Sequence, residues 1–218
     1  MSKKIKTILS GGEGLIGGAL RDFLYLKSEN VLLVDTEHKK HKKRYPSESI
    51  INLNSFINSF EPDLTECTFI HAAGLSNISV CENNPDLAVE TNVRLTQLCL
   101  QMALSMGCNK FIFLSTGFVY GDKSKMPHDE NSATYKTNVY IDTKLKAEAL
   151  VEDFASKNKI NVIILRIGNV YSQASSSETV TGRILTQLKT GSKSIELFST
   201  KPVRDFLYID DLCDSLYQ

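Results

Sequence analysis

Near the start of the chain a short apolar run, residues 5–10, leads straight into SGGEGLIGG, and this junction constrains the fold more than any other stretch. Gly11, Gly14 and Gly17 form G-x-x-G-x-x-G, and Leu15, Ala19, Phe23 and Leu26 then recur at helical spacing. A strand that turns through glycines into a helix lets the backbone approach a pyrophosphate with no Cβ in the way. The first-turn amides, including those of Leu15 and Ile16, then face the anion. A tight strand-to-helix turn without a ligand would use the same glycines. Asp35 favours the first reading. It closes the next strand-like run (residues 31–34), about 20 residues on, where a carboxylate accepts from an adenosine ribose hydroxyl. A carboxylate there repels a 2′-phosphate, so NAD is expected over NADP. The basic stretch His38 to Arg44 could neutralise such a phosphate, but reads more simply as a solvated loop.

Beyond this unit, apolar runs keep alternating with helix-length segments. Strands are expected at residues 68–71, 110–115 and 161–167. A long helix is expected at 85–106, where Ala88, Val89, Val93, Leu95, Leu98, Cys99, Met102 and Met106 keep the helical period, and another at 139–157. KFIFLS (residues 110–115) is almost continuously apolar, as a strand covered on both faces must be. The alternation implies right-handed crossovers and an α/β, doubly wound parallel sheet of Rossmann type. YSQASSSETV (residues 171–180) is the best candidate for a boundary or flexible loop. The expected organisation is a dinucleotide-binding domain over 1–170 and an incomplete substrate-binding region over 171–218.

The segment YIDTK places Tyr140 and Lys144 four residues apart, on one face of a helix. A free tyrosine titrates near about 10, so poising it near neutrality takes roughly 4 kcal/mol. An ammonium about 4 Å away supplies attraction of that order at an effective dielectric of about 20. Lys144 is therefore a sufficient partner to make Tyr140 a general acid or base. Y-x-x-x-K is common by chance, and an exposed tyrosine beside a solvated lysine would look the same. Here it follows a glycine loop and a strand ending in Ser115-Thr116, whose hydroxyls could orient a reacting alcohol or ketone.

In order along the chain, SGGEGLIG, HAAG (71–74), TNV around Asn92, STGFVYG (115–121), YIDTK, LRIGNVY (165–171) and RDFLYIDDL (204–212) resemble the motifs of extended short-chain dehydrogenases/reductases, the NAD-dependent sugar-nucleotide epimerase/dehydratase family. The resemblance runs from about residue 5 to the end. It implies Tyr140 as acid/base, with Lys144 lowering its pKa and binding the nicotinamide ribose, and Thr116 as the active hydroxyl with Ser115 as fallback. It implies that Ala72, Ala73 and Gly74 line the cofactor with Asn92 nearby, together with Ser115 and Ile167. Asn52, where the family often has an aspartate, would meet the adenine beside Leu53. Asn169 would contact a nucleotide-sugar. Arg204 would reach its diphosphate, or equally pair with Asp205 or a neighbour. Paired helices at 85–106 and 139–157 imply a possible homodimer; covering the sheet is their other use.

The departures narrow the chemistry. The family's dehydratases carry an Asp-Glu pair after the threonine; Gly117 and Phe118 stand there, which argues against 4,6-dehydration. Ser172-Gln173 replaces Gly-Pro after Tyr171, so the substrate loop is altered. The resemblance leads one to expect further sequence beyond Gln218, and the stripe Ile209, Leu212, Cys213 and Leu216 is expected to pack on such a continuation or on another subunit. A sugar 4-epimerase is the leading expectation. A 4-keto-sugar reductase uses the same residues, and a dinucleotide-binding module without turnover is the third reading.

Composition excludes other classes. With 42% apolar and 23% charged residues the chain is neither disordered nor collagen-like. Its 25 basic and 25 acidic side chains cancel, which gives no electrostatic case for nucleic-acid binding. No apolar run approaches the roughly 18 residues of a membrane span, and the basic start is too mixed for a signal peptide. The five cysteines include no C-x-x-C pair and are expected as reduced, mostly buried thiols in a cytoplasmic protein. No metal site is expected.

Overall fold

The computed structural model describes residues 5–35, 49–52, 66–121 and 126–218. Leu53 and the basic stretch 38–44 lie outside the described residues, as do the side chains of Asp35 and Asn52. Two compact units divide the chain, Met1–Arg166 and Ile167–Gln218.

Six parallel strands form the sheet of the first unit: β1 (Thr7–Ser10), β2 (Val31–Asp35), β3 (Ser49–Asn52), β4 (Cys67–His71), β5 (Cys108–Thr116) and β6 (Asn161–Ile167). Their spatial order, β3-β2-β1-β4-β5-β6, is that of a doubly wound dinucleotide-type sheet. The order reverses between β1 and β4. Ligands of such sheets bind beyond the strand ends at that reversal. Helix α1 (Leu15–Leu26) follows β1, α2 (Ile78–Asn83) and α3 (Pro85–Val89) follow β4, and α4 (Leu95–Ser105) precedes β5. Between β5 and β6 runs α5 (Val139–Lys157), which starts where Asn138 caps the Ile141 amide at 2.9 Å.

One large core lies against the sheet. Ile8, Leu32, Phe69, Phe111 and Phe113 from the strands meet Cys99, Leu100, Met102 and Ala103 of α4 and Ala147 and Val151 of α5. Phe69 and Phe111 stack across neighbouring strands with centroids 5.3 Å apart.

The expected single helix at 85–106 is interrupted. Glu90–Arg94 form a π turn between α3 and α4. The wider turn carries Asn92 into the interior, where its side-chain amide makes three hydrogen bonds.

In the second unit, β7 (Asn169–Tyr171) and β8 (Phe206–Tyr208) pair in parallel, and α6 (Val180–Lys189) and α7 (Ile209–Tyr217) are its helices. Residues 172–179 fold into turns, Ser172 N–H donating to Ser175 Oγ at 2.9 Å, and Thr179 then caps α6. The apolar stripe of α7 corrects an expectation: Ile209, Leu212, Cys213 and Leu216 are already buried within this chain.

Candidate active site

The glycine loop sits at the end of β1 and touches the end of β4. Gly11 adopts φ +78°, and a Cβ on it would lie 2.5 Å from the Ala73 nitrogen, so only glycine lets the two loops meet there. A Cβ on Gly17 would stand 2.1 Å from the Gly11 carbonyl oxygen, which fixes the close seating of α1 beneath the turn. Gly14 is the N-cap of α1, and no side chain caps the helix. Its first-turn amides, Leu15, Ile16 and Gly17, are therefore available to an anion. From behind, the buried Arg21 donates to the Gly12 carbonyl at 3.2 Å and to Glu13 at 2.8 Å, bracing the loop. Asp35 and Asn52 end neighbouring strands as register partners, which puts both at the same sheet edge as the loop.

The adjoining turn 72–75 is held by Asn92. Its Oδ1 accepts from the Leu75 amide at 2.7 Å, while Nδ2 donates to the Leu75 carbonyl and to Thr143 Oγ1, each at 3.0 Å. Thr143 lies on α5, so one amide ties the turn to the helix that carries Tyr140 and Lys144. His71, at the end of β4, is not a site residue. It is buried between Ser10 (2.6 Å) and Thr96 (2.9 Å), and burial, helped by the Lys144 charge, lowers its pKa to about 3.

Three successive residues at the end of β5 grip three residues of α5 spaced one turn apart. The Leu114 carbonyl accepts from Lys144 Nζ at 2.6 Å, and the Thr116 hydroxyl lies close enough to the Tyr140 phenol to favour its ionised form. The Ser115 hydroxyl donates to the Glu148 carboxylate. Of the two hydroxyls, Ser115 is taken by Glu148, which leaves Thr116 beside Tyr140. Ser115 is thereby tied to an ion pair between the buried Glu148 carboxylate and the part-buried Arg166 of β6, 2.8 Å apart. Lys144 also lies over the Phe113 ring at 4.4 Å, and a Cβ on Gly74 would be 3.9 Å from its Nζ.

The electrostatics differ from expectation. Burial is the largest influence on Tyr140 and raises its pKa; the nearby Thr116 hydroxyl counters it and the Cys81 thiol adds to it. A lowering by Lys144 is therefore not what governs the phenol in this chain. Lys144 itself is depressed to about 8 by burial, against an upward pull from Glu148.

In the second unit, Asn169 binds the Asp205 carbonyl through its amide N–H (3.0 Å) and its Nδ2 (3.3 Å). Arg204 is exposed and donates to the Val203 carbonyl at 3.0 Å. Ile167 ends β6. Among the described residues no group of His, Cys, Asp and Glu could hold a metal ion, and no helix is long and apolar enough to cross a membrane. Sequence reasoning missed Glu148 and Arg166. The available signal was a carboxylate four residues after Lys144 on the buried face of the helix.

The profile of the NAD dependent epimerase/dehydratase family matches residues 7–218. The chain belongs to that family. Among members of this epimerase/dehydratase family, it is 25% identical over 232 residues to dTDP-D-glucose 4,6-dehydratase of Dictyostelium discoideum, a match covering 95% of this chain and 53% of that one. The chain thus spans about half the length of the curated relative it matches. A UDP-glucose 4-epimerase from Thermotoga maritima, solved with UDP-glucose, superposes with a TM-score of 0.82 at 23% identity, over 96% of this chain and 71% of the other. The dTDP-glucose 4,6-dehydratase DesIV of Streptomyces venezuelae, solved with NAD, gives 0.81 at 20% identity, over 97% and 70%. At such identities these two likenesses speak to the fold, the family's doubly wound sheet.

Proposed function

We propose that this epimerase/dehydratase-family chain binds NAD and acts on a nucleotide-activated sugar, most directly as a 4-epimerase. The observation that carries the reading is the meeting of Thr116, Tyr140 and Lys144 beside the 72–75 turn, next to a glycine loop whose helix end is uncapped. The uncapped α1 terminus, with Gly11 and Gly17 holding the loop against Ala73, fits a diphosphate. Asp35 is assigned to the adenosine ribose, Asn52 and Leu53 to the adenine, and Ala72, Ala73, Gly74 and Asn92 to the wall beside the dinucleotide. Residues 1–170 are proposed as the NAD-binding domain, and 171–218 as part of the substrate region, with Asn169 and Arg204 directed at the nucleotide-sugar.

When bound, NAD supplies the two-electron chemistry. Tyr140 exchanges a proton with the ring hydroxyl of the sugar, and Thr116 orients that hydroxyl. The Lys144 ammonium, anchored on the Leu114 carbonyl beside Gly74, holds the nicotinamide ribose. Inversion at one carbon then requires only that the oxidised sugar present its other face to the same residues. Gly117 and Phe118 place no carboxylate after Thr116, which favours epimerisation over elimination. Exposed Leu87 and Leu104, at the ends of the segment 85–105, support a homodimer through the long helices. Five cysteines without a disulfide support a reducing compartment such as the cytoplasm.

The test is a panel of UDP- and dTDP-sugars incubated with NAD, with products separated by chromatography, for wild type and Tyr140→Phe. The variant is expected to lose turnover while calorimetry finds NAD affinity nearly intact. Unchanged turnover sinks the assignment of Tyr140. In a parallel incubation of nucleotide 4-keto-sugars with NADH, net consumption of NADH would identify a keto-sugar reductase, and binding without conversion in either incubation a module lacking turnover.

A further inference from the structure

One buried titratable group that the reaction leaves unused stands where the strand order reverses. His71 ends β4 and is the register partner of Ser10, which ends β1 immediately before Gly11. Ser10, His71 and Thr96 of α4 are each exposed by 1% or less. Ser10 Oγ lies 2.6 Å from His71 Nδ1, and His71 Nε2 lies 2.9 Å from Thr96 Oγ1. Thr96 Oγ1 donates in turn to the Asn92 carbonyl at 2.8 Å. Phe113 stacks on the imidazole with centroids 5.7 Å apart and holds its plane.

Counting hydrogens gives these bonds a direction. A hydroxyl has one, and that of Thr96 is committed to the Asn92 carbonyl, which can only accept. Thr96 Oγ1 therefore accepts from the ring, so Nε2 carries a hydrogen. Burial, helped by the Lys144 charge, keeps the imidazole neutral, which leaves Nδ1 a lone pair for the Ser10 hydroxyl. Every bond then points from Ser10 through His71 and Thr96 to Asn92. The opposite tautomer would take the Thr96 hydrogen and strip the Asn92 carbonyl of it. Both ends of the chain border the crevice. The Ser10 carbonyl accepts from the Ala72 amide at 3.2 Å, and the Asn92 side chain holds both polar groups of Leu75. One ring thus joins the glycine loop, the 72–75 turn and the π turn.

We propose that His71, as the neutral Nε2–H tautomer, is a positioning residue for the dinucleotide crevice, setting the glycine loop against the 72–75 turn through Ser10 and Thr96. It acts through these neighbours, from a buried place behind the loops. The proposal rests on the reading of this crevice as the NAD site, but two of its three readouts need no NAD.

The experiment begins with NMR of chain carrying ¹⁵N-histidine, the His71 ring assigned by its loss in His71→Gln. Nε2 is expected to carry the proton; a wild-type ring protonated at Nδ1 overturns the proposal. Hydrogen exchange then follows the Ala72 and Leu75 amides, and calorimetry follows NAD. In His71→Leu both amides are expected to exchange faster, and NAD to bind about fivefold more weakly or worse. Thr96→Val should show the same change at the Leu75 amide and in NAD affinity. His71→Gln, whose amide can accept from Ser10 and donate to Thr96, should stay near wild type in all of these. Val151→Ala loosens the same core without touching the relay, so its NAD affinity should hold. Wild-type exchange or wild-type NAD affinity in folded His71→Leu, or in Thr96→Val if His71→Leu unfolds, overturns the proposal. So does a loss of NAD affinity in Val151→Ala equal to that in Thr96→Val, which would mark a merely structural role. If wild type binds no NAD, the cofactor reading fails instead, and the tautomer and the two amides still decide the relay.

Discussion

The Lys144 ammonium donates to the Leu114 main-chain carbonyl over 2.6 Å, while burial holds its pKa near 8 rather than 10.5. One side chain is thus anchored to the sheet and titrates close to physiological pH. Between those two values the unfolded chain carries a proton that the native chain has released. Burying the charge costs stability below pH 8, and the cost is relieved as pH rises toward 10.5. NAD held by the ammonium should show the opposite trend. Its affinity is expected to fall as pH rises through about 8, and Lys144→Met should flatten the profile; calorimetry on both sides of that pH decides.

Gly17 and Gly18 are adjacent on α1, yet only the first is fixed by contact. Alanine at 17 would put a Cβ 2.1 Å from the Gly11 oxygen, whereas at 18 its nearest neighbour, the Gly12 oxygen, is 3.4 Å away. Gly17→Ala is expected to cost about 3 kcal/mol and weaken NAD binding at least roughly tenfold. Gly18→Ala should be neutral or slightly stabilising, since alanine favours the helix. Urea titration and calorimetry on the two variants provide the comparison; equal behaviour would rule out the contact argument.

Asn92→Ala removes three hydrogen bonds at once, leaving the Leu75 amide without its partner and the Leu75 carbonyl with only the weak Cys81 thiol donor. A loss of about 3 kcal/mol is expected in urea unfolding, with weaker NAD binding as the 72–75 turn loosens. Asn92→Asp keeps an acceptor for the Leu75 amide but no donor, so it should fall short of wild type as well.

His71 sets an acid limit. Its pKa is about 3 in the native chain against an ordinary 6.5, because burial excludes the charged ring. The unfolded chain therefore takes up a proton that the native chain refuses, and stability drops as pH falls from 6.5 toward 3, by roughly 5 kcal/mol in total. Denaturant unfolding at neutral and acid pH should show that slope in wild type. His71→Gln, which can still bond Ser10 and Thr96, should lack about one proton of it.

Local rules reached much of this arrangement. The helix Val139–Lys157 has the bounds its periodicity gave, because Asn138 supplies the start and the apolar positions keep one face. The glycine loop and the apolar strand β5 follow from equally local rules. What escaped lies beyond neighbouring residues. Period counting cannot see a single extra residue, so in sequence the π turn at Glu90–Arg94 has the pattern of plain helix. Spacing put Lys144 near Tyr140 but carries no information on burial, which reverses the direction of the phenol's shift. Ser115 and Thr116 look interchangeable in sequence until the fold gives Ser115 to Glu148 and leaves Thr116 beside Tyr140. The Glu148–Arg166 pair joins residues 18 positions apart, beyond any local pattern.

The π turn also sets the phase of everything after it. Removing one residue from the segment 90–94 would restore an unbroken α-helix, but would rotate each later residue by about 100°. Cys99, Leu100, Met102 and Ala103 would then leave the face they bury against Phe111 and Phe113. The segment therefore carries two registers, one aimed at the turn beside the candidate site and one at the core, and the added residue is the offset that reconciles them.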